Sequence, residues 1–426
     1  MNKHIILYTL LAGTAPAQFP GPVLDTIYPP GGRRNSTVEI QLDGKQLDPL
    51  RGMVFDHPDL KAELITEPHP LDLPPEPVPG RLRVKIGDVP PGIYNAQVFS
   101  ATGLSNPRLF EVSTLKEIKK QENSLEKPQR IEMDSVISGR FDDRKIDAYL
   151  FPAKKGQVVV LDLMAERIDS RSDASMKLLN ARGRELASAR DTTYRDPVIY
   201  HTIPADGDYL AAVHDFAFSG GGEHVYRLKV STRPSIRAAI PPALLPGEKR
   251  RVTLLGANLP GEQVSVEIQA PRQAGTRGMY RQPAEMNNRG FLYYYKDAEP
   301  FWIPFATATI IMAEEQSGRV QPMHFPGEIA GRFDRAGDFD DYSFTLAKGS
   351  EVLIEVFSHR MNLPTDPHLF LYKSVEKDGT AERQFIGESD DTNPKVGGTA
   401  YSTAHRDPLY KLKADADVTY IVTIGN

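Results

Sequence analysis

From Val38 to Leu42 the chain alternates apolar and polar side chains, and from Arg251 to Leu255 a similar pattern returns. This is the period-two signature of a strand with one face on a core. Each run is followed by a glycine and a second leucine, Gly44 with Leu47 and Gly256 with Leu259. Elsewhere, short stretches rich in Val, Ile, Leu, Tyr and Phe, such as Val158 to Leu163 and Val352 to Phe357, are punctuated by proline and glycine. With 35 prolines and 33 glycines, the punctuation is dense enough to leave helix as the minority state. The pattern predicts an all-β chain of tandem antiparallel β-sandwiches.

The chain also repeats itself. Ile137-Ser138-Gly139-Arg140-Phe141-Asp142 returns as Ile329-Ala330-Gly331-Arg332-Phe333-Asp334, and Gln129 is answered by Gln321. The match continues through Asp147/Asp340, Tyr149/Tyr342 and Gly156/Gly349 to Arg195-Asp196-Pro197 and Arg406-Asp407-Pro408. Copies this far apart are duplicated domains, since solenoid units recur every ~20–50 residues. The two alternating segments at Val38 and Arg251 lie before each copy, so the order is A-B-A-B. The A modules are predicted at 22–114 and 234–312 and the B modules at 125–232 and 315–426, with Lys116 to Pro128 a charged linker. A chain of 426 residues accommodates this, because single cores stop growing near ~250–300 residues.

The second B copy is shorter at its end. In the first, the strand Tyr209 to Val213 is followed by a glycine turn and a further strand, Val225 to Val230; in the second, Tyr420 to Ile424 has no such successor. The expectation is a module lacking its last strand, either because the chain is a truncated product or because a partner supplies the strand, and less stable than the first copy.

At the N-terminus, Lys3 and His4 precede an apolar run, Ile5 to Ala12, and Ala15-Pro16-Ala17 forms a small-x-small cleavage signal before Gln18. Residues 1–17 read as a signal peptide, which places the mature protein in a secreted, periplasmic or cell-surface location. The alternative for this run is a buried N-terminal strand. No later stretch reaches the ~20 apolar residues of a membrane span. A net charge of −5 offers no broad basic surface for nucleic acid. The chain has no cysteine, so neither disulfides nor thiol catalysis enter.

In each B copy a Gly-x-Phe-Asp turn, an Asp-x-Tyr strand, a Lys-Gly turn and an apolar strand follow in order. The clearer copy carries Gly331-Arg332-Phe333-Asp334, Asp338 to Tyr342, Ala347-Lys348-Gly349, Asp366-Pro367 and Ser389-Asp390-Asp391; the first replaces these last two with Asp173-Ala174 and Ala189-Arg190-Asp191. This order resembles the bacterial pre-peptidase C-terminal (PPC) domain. The A modules resemble immunoglobulin-like IPT/TIG domains, through Pro91-Gly92-Ile93-Tyr94 and Gly103-Leu104-Ser105-Asn106. The resemblance implies jelly-roll-like B sandwiches alternating with immunoglobulin-like ones, non-catalytic attachments of exported enzymes or surface proteins. It also implies calcium, which relatives in clostridial collagenases take up.

Calcium wants six to eight oxygens, usually from several loop carboxylates. The candidate ligands are Asp338, Asp340, Asp341, Asp366, Asp390 and Asp391, and the resemblance adds Glu314 and Glu315, just before the domain, at the position from which the collagenase relatives supply linker ligands. The other reading of these residues is turn capping and edge solubility. Tyr293, Tyr295 and Trp302 stand in an aromatic cluster with Phe291, Tyr294 and Phe301. Since neighbouring strand side chains point to opposite faces, three consecutive tyrosines do not share one core. They form either a contact surface or the packing surface for the following module.

No His-Glu-x-x-His, Gly-x-Ser-x-Gly or Gly-x-x-x-x-Gly-Lys-Ser/Thr motif occurs. His214 and His224 flank Gly220-Gly221-Gly222, which reads as a hairpin turn rather than a metal pair. The expected function is a non-catalytic binding or accessory protein that presents its sandwiches to a protein or polysaccharide surface. Its rivals are the N-terminal non-catalytic part of a larger exported peptidase or other hydrolase, and a structural spacer.

Overall fold

The computed structural model describes residues 21–68, 75–192, 196–261, 263–273, 290–306, 312–314, 318–361, 363, 365–377, 379–391 and 406–425. The proposed signal peptide lies outside the described residues. Among these residues the chain is all-β, built of mainly antiparallel sheets with a few parallel strand pairs, facing one another in successive sandwiches, with two single-turn 3₁₀ segments, Glu166–Ile168 and His359–Met361.

The first sandwich pairs a four-stranded sheet with a five-stranded one over a core of Leu24, Ile40, Leu82, Val84, Phe110 and their neighbours. Its strands follow the alternation of the sequence: in Glu76–Ile86, Leu82, Val84 and Ile86 are buried while Arg81, Arg83 and Lys85 face solvent. A smaller sandwich spans 235–305, with Phe291, Ile303 and Phe305 packed on Leu254 and Val252.

The second sandwich is the first B copy. Its strands are β1 (Lys116–Lys119), β2 (Gln129–Arg130), β3 (Ser135–Arg140), β4 (Asp147–Ala153), β5 (Val158–Met164), β6 (Ala174–Asn180), β7 (Glu185–Ala189), β8 (Val198–Thr202), β9 (Gly207–Asp215) and β10 (Val225–Ser231). They form two five-stranded sheets, β1-β3-β10-β5-β8 and β2-β4-β9-β6-β7. The segment at Lys116, expected to be linker, begins with a strand: β1 runs parallel to β3, with Ile118 opposite Ile137 and packed against the core. β10 is central in its sheet, antiparallel to both β3 and β5. Tyr226, Leu228 and Val230 point into the core, and each is fully buried. Gly139 on β3 lies under the Tyr226 ring, where an added Cβ would stand 2.2 Å from it.

The opposite face of β10 is buried as well, and it is charged. Arg227 Nε donates to Glu111 of the preceding sandwich, Arg227 Nη2 lies 2.7 Å from Glu117 on β1, and Lys229 Nζ lies 2.7 Å from Glu111 and 3.0 Å from Glu299. Five charged side chains, from the first sandwich, the second and the one that follows it, thus form one network around the buried Arg227–Glu111 contact. Burial opposes ionisation of Glu111, but Arg227 and Lys229 outweigh it and hold the carboxyl below its ordinary range.

The fourth sandwich repeats the second with one change. Its strands are β11 (Met312–Glu314), β12 (Val320–Pro322), β13 (Glu328–Ala330), β14 (Phe339–Leu346), β15 (Glu351–Glu355), β16 (His368–Lys377), β17 (Thr380–Ser389), β18 (Leu409–Lys413) and β19 (Val418–Gly425). One sheet is the counterpart of its predecessor, β12-β14-β19-β16-β17. The other is in two pieces, β11-β13 and β15-β18, with no strand between β13 and β15 among the described residues. The strand without a counterpart is the central one, β10.

Candidate functional site

Asp366 lies just before β16 and Asp390-Asp391 just after β17, and these strands form an antiparallel hairpin in which Leu369 faces Ser389. That register brings the three aspartates to the same loop end. All are exposed, and one carboxylate oxygen from each lies within 4.8 Å of the others.

The first B copy occupies the same place differently. There Met176 faces Ala189 across β6 and β7, which sets Asp173, Arg190 and Asp191 at the positions of Asp366, Asp390 and Asp391. Arg190 Nη2 lies 2.8 Å from Asp173 Oδ2, and Arg190 Nε lies 3.3 Å from Asp191 Oδ2. The guanidinium also stacks 3.5 Å from the centre of the Phe216 ring. Two carboxylates with a cation between them have become three carboxylates. The donor set is all hard oxygen, up to six atoms in flexible loop positions, which suits calcium and offers nothing to a soft metal.

The remaining candidate acids are elsewhere. Asp338 Oδ2 accepts the backbone N–H of Asp334 at 2.8 Å, a turn cap. Asp340, on β14, is buried, while Asp341 accepts from Arg383 at 2.6 Å and from the Thr423 hydroxyl at 2.5 Å. Being consecutive on one strand, Asp340 and Asp341 point to opposite faces and do not serve one site. The Glu314 side chain and all of Glu315 lie outside the described residues.

Of the three tyrosines, Tyr295 is buried in the core with Phe291, Tyr293 packs against it, and Tyr294 is the exposed member. The exposed ring is therefore Tyr294 rather than Tyr295, and its hydroxyl donates to Pro91 O at 3.5 Å. Trp302, half-buried, lines a cleft of about 1310 Å³ with Tyr200, Arg233, Arg237 and Glu299. Arg237 lies over the Tyr200 ring at 4.6 Å. This cleft draws on residues more than a hundred positions apart and had no single sequence signal.

The twin Arg-Asp-Pro motifs prove to be framework. Asp196 accepts the backbone N–H groups of Ala165, Glu166 and Arg167 at 2.9–3.1 Å and pairs with Arg167 Nε at 2.9 Å. Asp407 does the same for Ser358, His359 and Arg360. Each buried carboxylate thereby closes a 3₁₀ turn whose N–H groups have no partner within the turn.

No family model matches the chain, and no curated protein matches it. Among solved structures it is similar to the pre-peptidase C-terminal domain of a collagenase from Bacillus anthracis, at 15% identity over 26% of this chain and 98% of that one, TM-score 0.21. It is similar also to a Bacteroides ovatus mixed-linkage glucan utilization locus protein, SGBP-B, solved with a mixed-linkage heptasaccharide, at 9% identity over 96% of this chain and 74% of that one, TM-score 0.18. The adhesin InvE of Yersinia pseudotuberculosis aligns at 12% identity over 58% of each chain, TM-score 0.13. Likenesses at these TM-scores carry no argument about ligand or activity. No helix among the described residues is long and apolar enough to cross a membrane.

Proposed function

We propose that this chain is an exported, non-catalytic binding or accessory protein with PPC-like B modules, which holds a string of sandwiches against a protein or polysaccharide surface and whose last module is stiffened by calcium. The observation that supports the reading is the exchange of Arg190 for Asp390 at equivalent loop ends. Where the first module carries its own cation, the second brings carboxylate oxygens of three aspartates within 4.8 Å of one another, a hard-oxygen set of the kind calcium accepts. Asp366, Asp390 and Asp391 would hold it, and its role is to tie the β16 approach to the β17 exit, which fixes the loop end for contact. Calcium sites of extracellular modules bind at about 10⁻⁴–10⁻³ M, so the relevant range is millimolar.

The test is thermal unfolding of the purified chain with calcium and with chelator. A hundredfold excess over Kd is expected to stabilise the second B module by about 2.7 kcal/mol. Asp366→Asn with Asp390→Asn should abolish the gain. Identical melting with calcium and chelator would leave the aspartates as turn caps. Binding to immobilised glycans and to matrix proteins, each with and without calcium, then separates the two partner classes.

A further inference from the structure

The ion contact at the entry to the first B module brings together the parts of a condensation reaction. We propose that Lys120 and Asp147 join in an intramolecular amide bond, formed with loss of water while Asp142 carries the proton, and that this bond ties the entry of the module to its sheet.

Lys120 follows β1 and Asp147 opens β4, and the fold delivers both side chains into one small space. Lys120 Nζ lies 2.8 Å from Asp147 Oδ2, with the lysine side chain 12% exposed and the aspartate 4%. The backbone on either side of Lys120 is pinned by Gln129, which is itself buried: its Nε2 donates to Lys119 O at 3.0 Å and its Oε1 accepts the N–H of Gln121 at 2.8 Å. Lys120 Nζ also donates to Arg140 O, which fixes its direction. The walls are aromatic. Nζ lies 5.9 Å from the centre of the Tyr226 ring, and Phe141 stacks on that ring at 4.4 Å. Holding the two groups in contact removes the entropic cost of bringing them together.

In its ionised form the pair is a salt bridge, and moving one proton from nitrogen to oxygen leaves an amine beside a carboxylic acid, the reactive form. Low polarity favours that neutral form, and burial, outweighing the attraction of Lys120, pushes the Asp147 carboxyl above its ordinary range. The Tyr226 hydroxyl donates to Asp147 Oδ2 at 2.6 Å, where it supports the charge that develops as Nζ adds to Cγ. Asp142 Oδ2 stands 3.6 Å from Nζ, on the side open to solvent. It takes a second proton from the nitrogen and returns it to the departing oxygen. The Nζ–Cγ bond forms as a Cγ–O bond breaks, the oxygen leaves as water, and Asp142 ends as it began.

Two comparisons within the chain set this contact apart. Lys229 also lies between carboxylates, 2.7 Å from Glu111 and 3.0 Å from Glu299. Burial opposes its charge, but the two glutamates outweigh it and hold the amine above its ordinary range, so it stays a cation. In the second B copy Glu314 pairs with Ala330 as Lys119 pairs with Ser138, and the residue that follows is Glu315, which offers no amine. The chain has no cysteine and so no disulfide to secure a module against pulling, and residue 120 is where force along a string of sandwiches enters this one.

The experiment is peptide mapping by mass spectrometry of the whole purified chain, denatured and digested. Expected is one pair of peptides joined through Lys120 and Asp147 and lighter than their sum by one water. Lys120→Arg keeps the charge but supplies no amine, so its peptides should be separate and the unfolding midpoint of its first B module lower. Asp142→Asn should leave newly made chain unlinked for about a hundredfold longer, the scale of general acid-base assistance. The proposal fails if the wild-type digest contains Lys120 and Asp147 only in separate, unmodified peptides, or if joined peptides persist in Lys120→Arg. Linkage at the wild-type rate in Asp142→Asn would overturn the proton route.

Discussion

The two B modules differ by a strand and by an arginine, and the differences act at different levels. Both retain the sheet β2-β4-β9-β6-β7 or its counterpart, and both close a 3₁₀ turn with a buried aspartate. Among the described residues the second shows no counterpart of β10. β10 joins the two halves of its sheet, covers the core with Tyr226, Leu228 and Val230, and through Arg227 and Lys229 binds the neighbouring sandwiches. Burying side chains of this size is worth about 1.5–3 kcal/mol each, comparable with the whole stability margin of a domain. One central strand therefore separates a module fixed to its neighbours from one with a divided sheet. The arginine is a local matter: in the first module it pairs with Asp173 and Asp191, and the second carries an aspartate in its place.

The comparison predicts its largest effect at the shared aspartates. Asp196→Ala and Asp407→Ala each remove the acceptor of three backbone N–H groups and one of the two carboxylate partners of an arginine, at a cost of about 3–5 kcal/mol. In the first module, with its sheet closed, this should lower the unfolding midpoint while leaving a cooperative transition. In the second it should abolish the transition, as followed by denaturant unfolding with site-specific exchange. Equal losses in both modules would show that the central strand contributes little to stability.

A smaller effect comes from moving the arginine. Asp390→Arg should rebuild the ion cluster of the first module and remove any calcium dependence of the second, while Arg190→Asp should bring calcium dependence to the first. Calorimetric titration of the two variants checks both directions, and a variant pair that leaves calcium behaviour unchanged would separate the cluster from metal binding.

The smallest effect concerns pH. Glu111 is held below its ordinary value in the folded chain, so its contribution is fully present above the unfolded value near 4.5 and is lost as pH falls through the lower folded value. Thermal unfolding should therefore show the first B module losing stability in acid through this contact, and Glu111→Gln should flatten that part of its profile. Among the described residues the second module has no β10 counterpart to make such a contact, so its acid response should be unchanged by the substitution.

Much of this was legible before the structure. The alternation at Val38 and the proline and glycine punctuation report strands directly, because side-chain period is a local property. The repeated Arg-Asp-Pro marks a buried carboxylate whose partners lie thirty to fifty positions away, and the repetition pointed to it without identifying those partners. The acidic candidates were legible only as residue types. Asp340 and Asp341 are adjacent in sequence and yet face apart, whereas Asp366 and Asp390 are distant and meet, since the hairpin register of β16 and β17 decides it. Tyr295 and Tyr294 were indistinguishable until the backbone chose which one turned inward.

The sequence by itself determined the all-β class and the internal repeat, for these rest on composition, periodicity and self-comparison. Only the tertiary structure decided that β10 is central rather than an edge, that its outward face carries ions buried between sandwiches, and that three of the candidate acids converge while Asp338, Asp340 and Asp341 stand apart from them. The physical reason is one of range. Propensity and alternation act over a few residues, whereas sheet order and ion pairing join positions as far apart as Glu111 and Arg227, and those pairings are set by which surfaces exclude water together.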